Sequence, residues 1–126
     1  MTVSKAQSGH IVFGPNFKWK ALAPIFDDIL KAFLKETGQI PPEEDIIQMF
    51  IKINLIDLAK NRKPEGWNRR GRVRMVFPIT DHPQMYFRSS GKSAEVVRVT
   101  ELLSAMLKKA KVTHKVKYDD LKHVPA

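Results

Sequence analysis

Residues 60 to 75, KNRKPEGWNRRGRVRM, gather seven Lys or Arg around one Glu and one Trp. Side chains of this kind bind phosphate. Lys does so as a point charge, and Arg adds a two-pronged hydrogen bond to the charge. The cations are Lys60, Arg62, Lys63, Arg69, Arg70, Arg72 and Arg74. Trp67 offers a ring on which an unpaired base can stack, worth about 1–3 kcal/mol per base. Its bland alternative is to fold back and close an edge of the core, since Trp is usually largely buried.

Other residues with chemistry are less organised. SGKS, residues 90–93, has the ending of a phosphate-binding P-loop, but the glycine such a loop needs five residues before Gly91 is Tyr86. What remains is a helix start at which Lys92 and Ser93 could meet a single phosphate. His10, His82, His114 and His123 are scattered without ligand-like spacing, so no metal site and no cofactor are expected. His114 falls on the apolar side of an alternating stretch and reads as a hydrogen-bonded core residue. Asp27-Asp28 and Glu43-Glu44-Asp45 lie where a helix face or a helix N-terminus accommodates acids without further role. No motif names a reaction, and the chain reads as a binding protein rather than an enzyme.

The field around the basic stretch supports that reading. Residues 1–59 hold six basic and seven acidic groups, 60–74 seven basic and one acidic, and 75–126 nine basic and five acidic. A net charge of +9 therefore sits almost wholly in the second half. Such asymmetry points first to nucleic acid and second to an anionic membrane surface. There is no cysteine, no apolar leader in MTVSKAQSGH and no apolar run of membrane-spanning length. These features lean to a reducing, cytoplasmic setting, with nucleus or virion as alternatives.

The elements that must position these groups follow from periodicity. Residues 1–9 read as a flexible tail and 10–126 as one domain. HIVF, 10–13, is a weak strand. Leu22, Ile25, Phe26, Ile29, Leu30, Phe33 and Leu34 give a helix with one apolar face. From Ile46 to Ala59 apolar residues occur almost all round, so this helix is expected to be central or covered by a second copy of the chain. Residues 72–79 and 84–88 alternate as a hairpin. Pairing Phe77 with Phe87 keeps the large apolar side chains on one face and puts Arg72, Arg74, Val76, Tyr86 and Arg88 on the other. Ser93 caps a third helix, and a strand near 112–118 could add Lys115 and Lys117 to that face. The expected fold is α+β: three main helices on a small, largely antiparallel sheet.

The order β-α-α-β-β-α resembles that of the KH class of RNA-binding domains, which carries a G-x-x-G loop between its first two helices. The corresponding connection here is Gly38-Gln39-Ile40-Pro41, with proline in place of the second glycine. The resemblance covers element order alone and brings no binding residue with it.

The sequence thus leads to a nucleic-acid-binding protein, RNA or single-stranded DNA preferred. Its candidate contacts are Lys60, Arg62, Lys63, Trp67, Arg69, Arg70, Arg72, Arg74, Tyr86, Arg88, Lys92, Lys115 and Lys117. The alternative is an oligomeric structural protein, such as a viral or phage assembly component, whose basic face meets a membrane or an acidic partner. In that case the homo-oligomer would form through helix 43–60.

Overall fold

In the structure, a computed structural model that describes residues 3–69 and 71–121, the chain forms an α+β domain. Four strands, β1 (Ala6–Phe13), β2 (Arg74–Val76), β3 (Gln84–Ser93) and β4 (His114–Tyr118), make one antiparallel sheet in the order β2-β3-β1-β4. Three helices, α1 (Phe26–Glu36), α2 (Glu44–Ala59) and α3 (Ala94–Lys109), complete it, with a 3-10 helix over Trp19–Ile25.

The weak strand of the sequence is one of the two inner ones. β1 begins at Ala6, so residues 6–9 belong to the sheet rather than to a tail. Small residues hid it. Gly9 lies under α3 so closely that an added Cβ would sit 2.0 Å from Thr100 Oγ1, and Ser8 is fully buried. Backbone proximity to a helix is what a strand glycine permits.

α3 covers β1 and β3, and α1 packs on α3. Ile11, Met75, Met85 and Phe87 from the sheet meet Phe33 of α1 and Val96, Val99 and Leu103 of α3 in a single core. The Phe33 and Phe87 rings stack with centroids 5.8 Å apart. α1 starts at Phe26, four residues after Leu22, because the Trp19–Ile25 segment winds as a 3-10 turn around Pro24. That turn carries Trp19 into a cluster with Phe13, Phe17 and Phe77. α3 behaves as read: the Ser93 side chain accepts the Glu95 N–H at 3.0 Å, and Lys108 and Lys109 end the helix.

The hairpin keeps its faces but shifts its register. Phe87 pairs with Met75 and Tyr86 with Val76, two residues away from the expected Phe77–Phe87 pair. A slip of two preserves which side each residue faces, so the hydrophobic pattern alone does not distinguish the two registers. The first strand is only three residues long and stops before Pro78, whose missing N–H cannot serve a ladder. β3 in turn runs through SSGKS. Between the pairs Ser8–Arg88 and Ala6–Ser93 its register jumps, so residues 89–92 form a bulge rather than a loop before α3.

α2 is peripheral, packing on the 3-10 helix and α1. Its Ile47, Ile51, Asn54 and Leu58 are buried, while Met49, Ile53 and Ile56 stay exposed. Among the described residues, no helix is long and apolar enough to cross a membrane.

Candidate functional site

The basic stretch leaves α2 at Lys60 and is fixed by two side-chain amides, Asn54 and Gln39. Asn54, fully buried, accepts the Gly66 N–H at 2.6 Å and donates to the Gly66 carbonyl at 3.3 Å. Gly66 has φ +72°, and an added Cβ would lie 2.6 Å from the Met75 carbonyl oxygen, so glycine is required there. Trp67 then pairs both its backbone groups with Met75 at 2.9 and 3.0 Å. Farther on, Gln39 accepts the Arg72 N–H at 3.0 Å and donates to the Val73 carbonyl at 2.9 Å. The Gly38–Pro41 connection is thus engaged in holding the basic stretch.

Two expected stacking rings are interior. Trp67 is 3% exposed and packs on Phe50 with ring centroids 4.4 Å apart. Tyr86 is 7% exposed and stacks on His10 at 5.2 Å. As placed, neither presents a face to an incoming base, which corrects their reading as stacking steps. Trp67 closes the gap between α2 and the basic stretch, and Tyr86 fills the middle of the sheet's second face.

The cations separate into groups instead of sharing one face. Arg62 is paired with Asp57 at 3.1 Å and Arg72 with Glu95 at 2.9 Å. Arg69 lies over the Phe50 and Trp67 rings, 5.7 and 5.2 Å from their centroids, and is held there as a cation on an aromatic surface. Lys60 is exposed at the end of α2 and Lys63 is half-buried. Arg70 lies outside the described residues.

A second group stands on the face of the sheet away from the helices. Side chains alternate along strands, and the residues flanking core-facing Ile11, Met75, Met85 and Phe87 point to this side. Cross-strand pairing puts Arg74 directly opposite Arg88, and Lys117 opposite His10, which is opposite Tyr86. Lys115 pairs with Val12 one step along. Arg74 and Arg88 line an open cleft of about 610 Å³ with Asn68, Tyr86, Ser89 and Ser90. Arg74 Nη1 reaches Asn68 Oδ1 at 3.5 Å, and among the described residues neither arginine makes an ion pair. Like charges set directly opposite each other repel. Lys92 is exposed in the adjoining bulge. The arginine pair on β2 and β3 and the lysines on β4 are three strand spacings apart at most, roughly 14 Å.

Between them the face is sealed. His10 is 1% exposed, and its Nε2 accepts from Ser8 Oγ at 2.8 Å and from the Asp120 N–H at 3.3 Å. Accepting a backbone N–H requires a ring that is unprotonated on that nitrogen. Burial pushes the His10 pKa down, against an opposing pull from Asp120 and Gln84. Asp119 Oδ1 is engaged by the Gln7 and Ser8 amides at 2.8 and 3.3 Å.

Of the other histidines, His123 lies outside the described residues, and His114 is hydrogen-bonded within the fold. His114 Nε2 lies 2.6 Å from Ser104 Oγ and its Nδ1 2.8 Å from the Val112 carbonyl. Among the described residues, no three His, Asp or Glu side chains converge as metal ligands. Sequence reasoning passed over Asn54 and Gln39, the two amides that fix the basic stretch. The available signal was a short polar residue inside the apolar run IKINLI, and a glutamine right after a helix-ending glycine. Comparison with known proteins found no matching family, no matching characterised protein and no matching solved structure.

Proposed function

We propose that the protein binds nucleic acid by its phosphate backbone, along the rim of the sheet face that lies away from the helices. Arg74 and Arg88 form the primary contact, and Lys92, Lys115 and Lys117 extend it. The carrying observation is the Arg74–Arg88 pair itself: two arginines paired across neighbouring strands and lining one cleft, without an ion pair among the described residues. A phosphate between them turns a repulsion into two charge-assisted hydrogen-bonded contacts. Lys60, Lys63 and Arg69 are a secondary source of field, whereas Arg62 and Arg72 contribute less because Asp57 and Glu95 neutralise them.

RNA or single-stranded DNA suits this face better than a duplex. Antiparallel sheets twist, and a flexible strand follows a twisted row of cations where a rigid rod does not. With Trp67 and Tyr86 interior, recognition is directed at the backbone and carries little sequence preference. The test is filter binding to single- and double-stranded RNA and DNA. Arg88→Glu should weaken retention severely, and Arg62→Glu only slightly. Equal retention by the native chain and Arg88→Glu would defeat the proposal.

A further inference from the structure

The outer surface of α2 poses a problem that the binding face does not answer. On a helical projection its buried residues Ile47, Ile51, Asn54 and Leu58 define one side. The opposite side runs Asp45, Met49, Lys52, Ile53, Ile56 and Lys60, and Met49, Ile53 and Ile56 are 50%, 40% and 48% exposed. Three large apolar side chains in one row on a peripheral helix are an unpartnered surface. What covers it can be read from its ends. The acidic group Glu43, Glu44 and Asp45 opens α2, and Lys60 closes it, about 22 Å along the axis from Asp45.

We infer that this face pairs with the same face of a second copy of the chain, with the two α2 helices antiparallel about a two-fold axis near residues 52 and 53. A two-fold axis makes every contact reciprocal. Asp45 of each copy then meets Lys60 of the other, Met49 packs on Ile56, and Ile53 lies near the axis. The arrangement is self-complementary in charge because the acids and the base stand at equal distances from the axis. A parallel pair would instead put acid beside acid and base beside base. Antiparallel packing also sets the positive end of each helix dipole beside the negative end of its partner. Met49, Lys52, Ile56 and Ala59 recur at the three-and-four spacing of a shallow-angle helix pair, which keeps both ends in contact. Lys52 is the one charged residue inside the row. Its stem covers apolar surface and its ammonium reaches the rim, as long cationic side chains at helix interfaces do. α2 packs on the 3-10 helix and α1, so the pairing leaves the Arg74–Arg88 cleft free in both copies.

The experiment is sedimentation velocity on the full chain across a concentration series. The expected result is a reversible dimer. Ile56→Glu should weaken it by roughly thirtyfold or more, while the melting curve by circular dichroism, taken at a concentration where the native chain is monomeric, stays unchanged because Ile56 is half exposed. Asp45→Lys and Lys60→Asp should each weaken it, and the double variant should restore it. Because the chain has no cysteine, Ile53→Cys offers a second readout: mild oxidation should link it into a covalent dimer, while Gly91→Cys on the distant bulge should stay monomeric. A monomer at every concentration overturns the inference. So does a dimer indifferent to Ile56→Glu, and a double charge swap that fails to restore association overturns the antiparallel register.

Discussion

Trp67 illustrates how a residue's chemistry is decided by what it touches. Between Gly66 and Asn68 in a basic stretch it had the setting of a stacking platform, yet the Phe50 ring packs against it with centroids 4.4 Å apart and Arg69 lies over it. Nothing in the local sequence indicates that contact, because Phe50 is seventeen positions earlier on a helix whose apolar residues run almost all round. Trp67→Ala should therefore cost about 3–5 kcal/mol of stability, the range for deleting a buried aromatic, and chemical denaturation measures it. Asn54→Ala removes the partner of both Gly66 backbone groups and should cost about 1–3 kcal/mol for the polar groups left unpaired. Arg88→Ala is expected to do the opposite of both. It relieves a like-charge opposition, so the thermal midpoint should stay level or rise while affinity for nucleic acid falls. A lowered midpoint matching the affinity loss would mean that Arg88 serves the fold instead.

Legibility at the level of elements followed periodicity. α1 and α3 declared themselves through one-sided apolar spacing, and Ser93 through its capping chemistry. The alternation of 73–77 and 84–88 gave the faces of the hairpin, but a two-residue shift in pairing leaves those faces unchanged and so went unseen. β1 was half hidden because AQSG contains no β-branched or aromatic residue. Its place in the sheet comes from tertiary fit, Gly9 against Thr100 and His10 against Tyr86. That burial has a pH consequence. The folded-state pKa of His10 is lowered, so above the unfolded value of about 6.5 the ring is neutral in both states and stability is full. As pH falls below that value the unfolded chain takes up the proton first, and stability declines until the folded pKa is reached. Denaturant midpoints should drop between pH 7 and 5 in the native chain, and His10→Gln should flatten that part of the profile. An equally steep profile in the variant would assign the effect to other groups.

Across the molecule, charge and apolar surface are partitioned by region. The near-neutral first half supplies two of the three helices and β1, and the cationic second half supplies the other three strands. The sequence made the basic excess plain but not its division. Loop cations are drawn off by Asp57, Glu95 and the Phe50–Trp67 rings, while Arg74, Arg88, Lys115 and Lys117 line up on the sheet. That division needs three-dimensional pairing, since Glu95 is more than twenty residues from Arg72. A face that binds by phosphate contact releases counterions, and the logarithm of the affinity then falls linearly with the logarithm of salt concentration. The most direct measurement is that slope for single-stranded RNA, in the native chain and in Arg74→Ala/Arg88→Ala. A steep slope in the native chain, shallower by about one to two in the double variant, is the predicted result. Identical slopes and affinities in the two proteins would contradict it.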